Sequence, residues 1–251
     1  MSKKAILIVS FGVVDSLMRK KTLDLYEQEV SARFTDYDVF HAYTSLRIRE
    51  KIKEREGIVV DEPAVVLKKV IDLGYENLVV QHFGIAWGET YVAVEAVLDN
   101  IKSQIQIKRV PPLLFDEGAF GAIGDLLAGL YDLQDGQKVV FVGHGTYTEG
   151  HGGYLTLADV LFARSEKMYL GTIKNEPTAQ TVAKQLKADG VGHVLLAPFL
   201  LTAGHHVQKD IKNDWANALT DQGFDVDTDA LALAEYERVR HYFLKLLEES
   251  L

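Results

Sequence analysis

One feature constrains this chain more than any other: short apolar runs alternate with longer segments that carry apolar residues at helical spacing. The runs are AILIVS (5–10), DVFHAY (38–43), NLVVQHF (77–83), KVVFV (138–142), KMYLGTI (167–173) and HVLLAPFL (193–200). Continuous apolar runs of this length read as strands buried on both faces. The intervening segments at 17–34, 45–56, 62–73, 90–103, 153–166, 177–189, 207–222 and 235–249 read as helices, one of them with Pro63 at an early position. This alternation predicts α/β architecture: a parallel sheet covered by helices on both faces.

The pattern also echoes itself. AILIVSFG (5–12) matches KVVFVGHG (138–145) in kind, a buried strand followed by a small-residue turn. LGYENLVVQHFGI (73–85) resembles DGVGHVLLAPFLL (189–201); in both, a helix ends at glycine and the strand that follows ends near histidine. The echo predicts two similar α/β halves, 1–118 and 119–251, with a boundary near 114–121. A cleft is expected between the halves, because ligands of open α/β sheets bind at strand C-terminal ends.

Composition narrows the chemistry. The net charge is −9, so the broad basic surface that nucleic-acid binding needs is missing. There is no cysteine, which removes disulfides, thiolate metal sites, iron–sulfur clusters and a cysteine nucleophile. Any metal must be held by His, Asp, Glu or backbone oxygen. No apolar run reaches the ~18 residues of a membrane span. The start, MSKK before AILIV, has the outline of a short signal peptide. It lacks a small-residue cleavage site and reads better as a buried first strand, which places the chain in the cytoplasm.

Three expected strand ends concentrate reactive residues. His144 stands between Gly143 and Gly145, directly after residues 138–142. Flanking glycines permit a sharp turn and leave an imidazole uncrowded. His205 and His206 follow the strand at 193–200, and adjacent histidines point different ways, so one of them is expected to face the cleft. The segment GTIKNEP (171–177) carries Lys174 and Glu176; Glu176 reads either as a carboxylate ligand or as a helix-start residue favoured by the dipole. Two histidines from separate strand ends plus a carboxylate would bind Co(II), Ni(II), Fe(II) or Zn(II) with positions left open. Among the basic residues 47–55, Arg47 and Arg49 stand nearest a strand end and could reach an anionic ligand. The nucleotide motifs GxGxxG and GxxxxGK[ST] are absent, as are GxSxG and HExxH.

VSFG (9–12), AYTSLRIREKI (42–52), DEPAVVLKKVIDLGY (61–75), GHGT (143–146), Tyr154, GTIKNEP (171–177) and LAPFLLTAGHH (196–206) occur in this order and spacing. In these segments the chain resembles the anaerobic sirohydrochlorin cobalt chelatases, class II tetrapyrrole chelatases, over nearly its whole length. The resemblance implies two flavodoxin-like halves and insertion of a divalent metal, most often Co2+ with Ni2+ or Fe2+ as alternatives, into a tetrapyrrole in cobalamin biosynthesis. It implies that His144 and His206 hold the metal with an acid, Glu176 or alternatively Glu89, and that His144 and Glu176 are catalytic. Ser10, Phe11, Arg47, Arg49, Glu89, Tyr91 and Lys174 would then meet the tetrapyrrole. No organic cofactor, nucleic acid or membrane is expected, and a homo-oligomer is allowed. The sequence departs from the family pattern in the presumed cleft. Lys174 replaces the metal-side glutamate, Gly84 a histidine, Thr90 an acid, and Val13-Val14 a Thr-Ser pair. A non-catalytic tetrapyrrole or metal carrier is the alternative those departures motivate; an α/β enzyme with another substrate is a third.

Overall fold

The computed structural model describes residues 3–133, 136–164, 168–202, 204 and 207–251, with the backbone alone at 164, 207 and 208. It separates into two compact units, Met1–Pro112 with Val239–Leu251, and Leu113–Arg238. The sequence reading divided the chain at 118/119 and left its last helix in the second half; by compactness the first change of unit falls after Pro112, and the C-terminal segment belongs to the first unit.

The first unit runs β1 (Lys4–Ser10), α1 (Ser16–Lys21), α2 (Leu23–Arg33), β2 (Asp38–Tyr43), α3 (Leu46–Glu56), α4 (Pro63–Asp72), β3 (Asn77–His82), α5 (Glu89–Ile101) and β4 (Gln106–Val110). The strands are parallel in the order β2-β1-β3-β4. Ala5, Leu7 and Val9 pack on Val66, Leu67 and Val70 of α4 and on Val94 and Leu98 of α5. On the opposite face, Tyr26 of α2 stacks on Phe83 with ring centroids 4.1 Å apart. Each such fully buried aliphatic or aromatic side chain contributes roughly 1.5–3 kcal/mol relative to exposure.

The second unit runs α6 (Phe120–Ala128), β5 (Gln137–Gly143), α7 (Gly152–Arg164), β6 (Met168–Thr172), α8 (Ala179–Ala188), β7 (His193–Phe199), a π-helical segment Val207–Trp215, α9 (Ala216–Thr220) and β8 (Asp225–Thr228). Its parallel sheet has the order β6-β5-β7-β8, the same topology as the first. Val140 and Val142 pack on Val182, Ala183 and Leu186 of α8, with Trp215 and Leu219 beyond. Tyr154 of α7 covers the other face, edge-on to Phe199 at 6.1 Å. The final helix, α10 (Glu237–Glu248), delivers Phe243 to the first unit, edge-on to Phe83 at 4.7 Å.

Two expectations are corrected locally, and three elements are added. The single helix expected at 17–34 is two helices, because Thr22 leaves helical dihedrals (φ −125°, ψ −81°). Its hydroxyl donates to the Met18 carbonyl at 2.7 Å, the back-bond by which threonine bends a helix. Strands β4 and β8, which the alternation of apolar runs does not predict, are edge strands with mostly exposed, polar residues. Helix α6 was hidden by Gly121 and Gly124. The segment expected as one helix at 207–222 is π-helical before it becomes α9.

Candidate functional site

In an open α/β sheet the ligand site lies where strand order reverses, outside the C-terminal ends of the strands. That point is between β1 and β3 in the first unit and between β5 and β7 in the second.

In the second unit, His144 is the first residue beyond β5. A Cβ at Gly143 would lie 2.6 Å from Cε1 of Tyr154, and one at Gly145 (φ +69°) 2.8 Å from the Thr172 hydroxyl. Both neighbours of His144 must therefore lack a side chain. The half-buried imidazole lies with Nδ1 3.0 Å from the Gly145 carbonyl. A carbonyl only accepts, so in the neutral ring Nδ1 carries the proton and Nε2 carries the lone pair. Fixing one ring nitrogen on a carbonyl is how proteins orient a histidine whose other nitrogen binds metal.

The segment 172–177 is laced to this turn. Ile173 N–H donates to the Gly143 carbonyl at 2.9 Å and Lys174 N–H to the His144 carbonyl at 3.1 Å. Buried His151 closes the arrangement. Its Nδ1 accepts from Thr146 N–H at 3.4 Å and its Nε2 donates to the Glu176 carbonyl at 2.5 Å. Sequence reasoning passed over His151, since only loop closure brings it against residue 176.

Glu176 lies beside this turn, but its exposed carboxylate accepts from Thr178 N–H at 3.0 Å and from the Thr181 hydroxyl at 2.6 Å. It thereby supplements the N-cap of α8, and these bonds hold its carboxyl below the usual carboxylate range. Both bonds fall on the same carboxylate oxygen, Oε2. Lys174 is exposed, with Nζ 6.0 Å from the ring centre of Tyr147. His205 and His206 lie outside the described residues. Among the described residues no group of three His, Asp or Glu is placed to hold a metal.

In the first unit, Ser10 ends β1 and is 4% exposed, whereas the Phe11 ring beyond it is 61% exposed. Ser10 does not stand alone. Its hydroxyl is 3.0 Å from Nε2 of His41 on β2, and Nδ1 of His41 is 3.1 Å from the Glu27 carboxylate on α2. Arg47 and Arg49 lie at the start of α3; Arg47 is exposed, while Arg49 is 2.7 Å from Glu62 and its buried Nε has no hydrogen-bond partner among the described residues. Glu89 is the exposed first residue of α5. Tyr91 lies a turn in, its ring 4.5 Å from that of His82, and burial together with Glu95 pushes its phenol up to about 12. His82, at the end of β3, is held by Glu95 at 2.9 Å, which also binds Arg109. The structure thus brings His144, Lys174 and the backbone of Glu176 together, and in the first unit it ties Ser10 to two residues that sequence spacing did not connect.

Sirohydrochlorin cobaltochelatase of Salmonella typhimurium is 28% identical over 262 residues, covering 99% of this chain and 97% of the relative. Sirohydrochlorin cobaltochelatase CbiKC of Nitratidesulfovibrio vulgaris is 26% identical, covering 94% of this chain and 86% of its own. Among solved structures, SirB from Bacillus subtilis with Fe3+ superposes with a TM-score of 0.69 at 14% identity, over 99% of this chain and 95% of that one. CbiX, described as the terminal enzyme of sirohaem biosynthesis in denitrifying bacteria, gives 0.63 at 16% over 98% and 99%. The two structures share the fold of two parallel sheets, while residues 4–251 match the cobalt chelatase (CbiK) family model, and the chain belongs to that family.

Proposed function

We propose that this chain inserts Co2+ into sirohydrochlorin, a step of anaerobic cobalamin biosynthesis, with Ni2+ and Fe2+ as alternative metals. The observation that carries the reading is the seat of His144: past a central strand, between two positions that admit only glycine, with its proton held by a backbone carbonyl. Both relatives named above are sirohydrochlorin cobaltochelatases. In this reading His144, His206 and Glu176 hold the incoming metal, and His144 and Glu176 do the chemistry. Ser10, Phe11, Arg47, Arg49, Glu89, Tyr91 and Lys174 meet the tetrapyrrole.

Insertion requires that the metal be held but released, that two pyrrole N–H protons leave, and that the ring distort toward the ion. An imidazole that binds through Nε2 with Nδ1 fixed is oriented before the metal arrives. Lys174 belongs with the substrate's carboxylates, where a charge-assisted hydrogen bond favours it, and not with the cation. Glu176 meets the metal through Oε1, the carboxylate oxygen that Thr178 and Thr181 do not bond. The net charge of −9 argues against a nucleic-acid partner. No helix among the described residues is long and apolar enough to cross a membrane. We place the protein in the cytoplasm, alone or as a homo-oligomer.

Parallel insertion assays with sirohydrochlorin and Co2+, Ni2+ or Fe2+, followed by the absorbance change of the ring, test the reading. Turnover with at least one metal is expected, fastest with Co2+, and His144→Ala should abolish it. Turnover by His144→Ala at the wild-type rate would overturn the role given to His144. A tetrapyrrole or metal carrier is the second reading, favoured by the engagement of the Glu176 carboxylate at α8. It predicts tetrapyrrole binding with no insertion of any metal.

A further inference from the structure

The first unit holds a hydrogen-bonded line of three side chains that metal binding does not use. Ser10 closes β1, His41 lies on the neighbouring strand β2, and Glu27 projects from α2, which covers that face of the sheet. The Ser10 hydroxyl to His41 Nε2 distance is 3.0 Å, and His41 Nδ1 to Glu27 Oε2 is 3.1 Å. A carboxylate only accepts, so in the neutral ring Nδ1–H donates to Glu27 and Nε2 accepts from the Ser10 hydroxyl. Both bonds therefore run the same way, from Ser10 toward Glu27. Ser10 is 4% exposed, and the side chains of His41 and Glu27 are 9% and 37% exposed.

We propose that Ser10, His41 and Glu27 form a second proton-accepting site, which takes one of the two protons displaced from the tetrapyrrole as the metal enters. The inference rests on the chelatase reading given above. The step balances within the chain. The pyrrole N–H bond breaks and a Ser10 O–H bond forms, while the original Ser10 proton passes to Nε2 of His41. The resulting imidazolium is paired through Nδ1–H with the Glu27 carboxylate, which carries the compensating charge. After the metallated ring departs, the Nε2 proton leaves to water by way of Ser10, and the neutral ring is restored. Ser10 is the group that touches the substrate; His41 and Glu27 act through it.

His41 faces Tyr43 on its own strand, ring centres 4.8 Å apart, and Asp24 on α2. Arg19 of α1, which also acts on Asp24, is engaged by Glu56 of α3 at 2.5 Å. Asp24 is pushed up by burial, with Arg19 and His41 opposing.

The test is steady-state insertion by the full-length protein, with sirohydrochlorin and Co2+ as probes, over pH 5.5–8.5. Ser10→Ala should lower kcat by about 10²-fold, the lower end of what a positioned acid–base group supplies, and leave KM unchanged. Ser10→Thr should restore most of the rate by restoring the hydroxyl. Glu27→Gln keeps a hydrogen-bond acceptor but removes the charge, so kcat should fall and its acidic limb should move to lower pH. A merely structural role would shift neither the limb nor kcat alone. Wild-type turnover with Ser10→Ala unchanged, or altered only in KM, overturns the relay while leaving the chelatase reading intact. Absence of turnover in the wild type with every metal removes the chelatase reading, and the relay with it.

Discussion

Gly143→Ala is the perturbation most directly written into the geometry around His144. The added methyl would lie 2.6 Å from Cε1 and 3.2 Å from Cδ1 of Tyr154, and 3.4 Å from Cδ1 of Phe199. Carbon atoms pack at about 3.5–4.0 Å, so the Tyr154 ring must retreat by roughly 1 Å. It has little freedom to do so. Tyr154 is 3% exposed, lies edge-on to Phe199 at 6.1 Å and is hydrogen-bonded by the Gly145 backbone. Overpacking of this kind costs about 1–3 kcal/mol, and a central 2 kcal/mol corresponds to roughly 8 °C in Tm for a unit of this size. The assay is calorimetry together with hydrogen exchange at the β5 amides, which reports on the second unit alone. Where the ring holds and the turn yields by an ångström instead, insertion should also fall by about 10²-fold. In a Tyr154→Leu background the added cost of Gly143→Ala should fall by at least about 1 kcal/mol, as expected for residues in contact. Equal stability of Gly143→Ala and wild type, or an identical cost in both backgrounds, would refute the close approach.

Glu176→Gln tests the carboxylate at the start of α8. Because its folded carboxyl is held low by Thr181 and Thr178, its contribution is complete above the unfolded carboxylate pKa and disappears as pH falls through the lowered folded value. The wild type should therefore melt above Glu176→Gln at pH 7, and the difference should shrink as pH falls below the usual carboxylate range; a difference that does not change with pH would refute the cap. Gln81 is fully buried, accepts from the Tyr26 hydroxyl at 2.7 Å and donates to the Phe243 carbonyl of α10 at 2.9 Å. Gln81→Leu should cost about 2 kcal/mol in denaturant unfolding by leaving the buried hydroxyl unsatisfied. Tyr26→Phe in that background should recover part of the loss.

Much of this architecture can be read without coordinates, for a physical reason. Strands β1, β3, β5 and β7 are covered on both faces, and burial of that kind leaves unbroken apolar runs that no helix or loop requires. Edge strands β4 and β8 are half-solvated, so QIKRV and DVDT carry the polar composition of loops. The seat of His144 is legible in GHG because steric exclusion forces glycine on both sides. Glu176 is ambiguous in sequence, since an acid after a strand suits a metal and a helix start equally; the tertiary position of Thr181 directs its carboxylate to the helix. The line Ser10–His41–Glu27 is not legible at all. Its members come from β1, β2 and α2, and only the parallel register that sets His41 opposite Ile8 brings the imidazole to Ser10.

Cobalt K-edge X-ray absorption of the Co2+-loaded protein, without tetrapyrrole, bears most directly on the central claim that His144 and His206 jointly hold the incoming metal. Two imidazole nitrogens are expected around cobalt in the wild type, with one lost in His144→Ala. A spectrum without imidazole scattering, or one that His144→Ala leaves unchanged, would contradict the account.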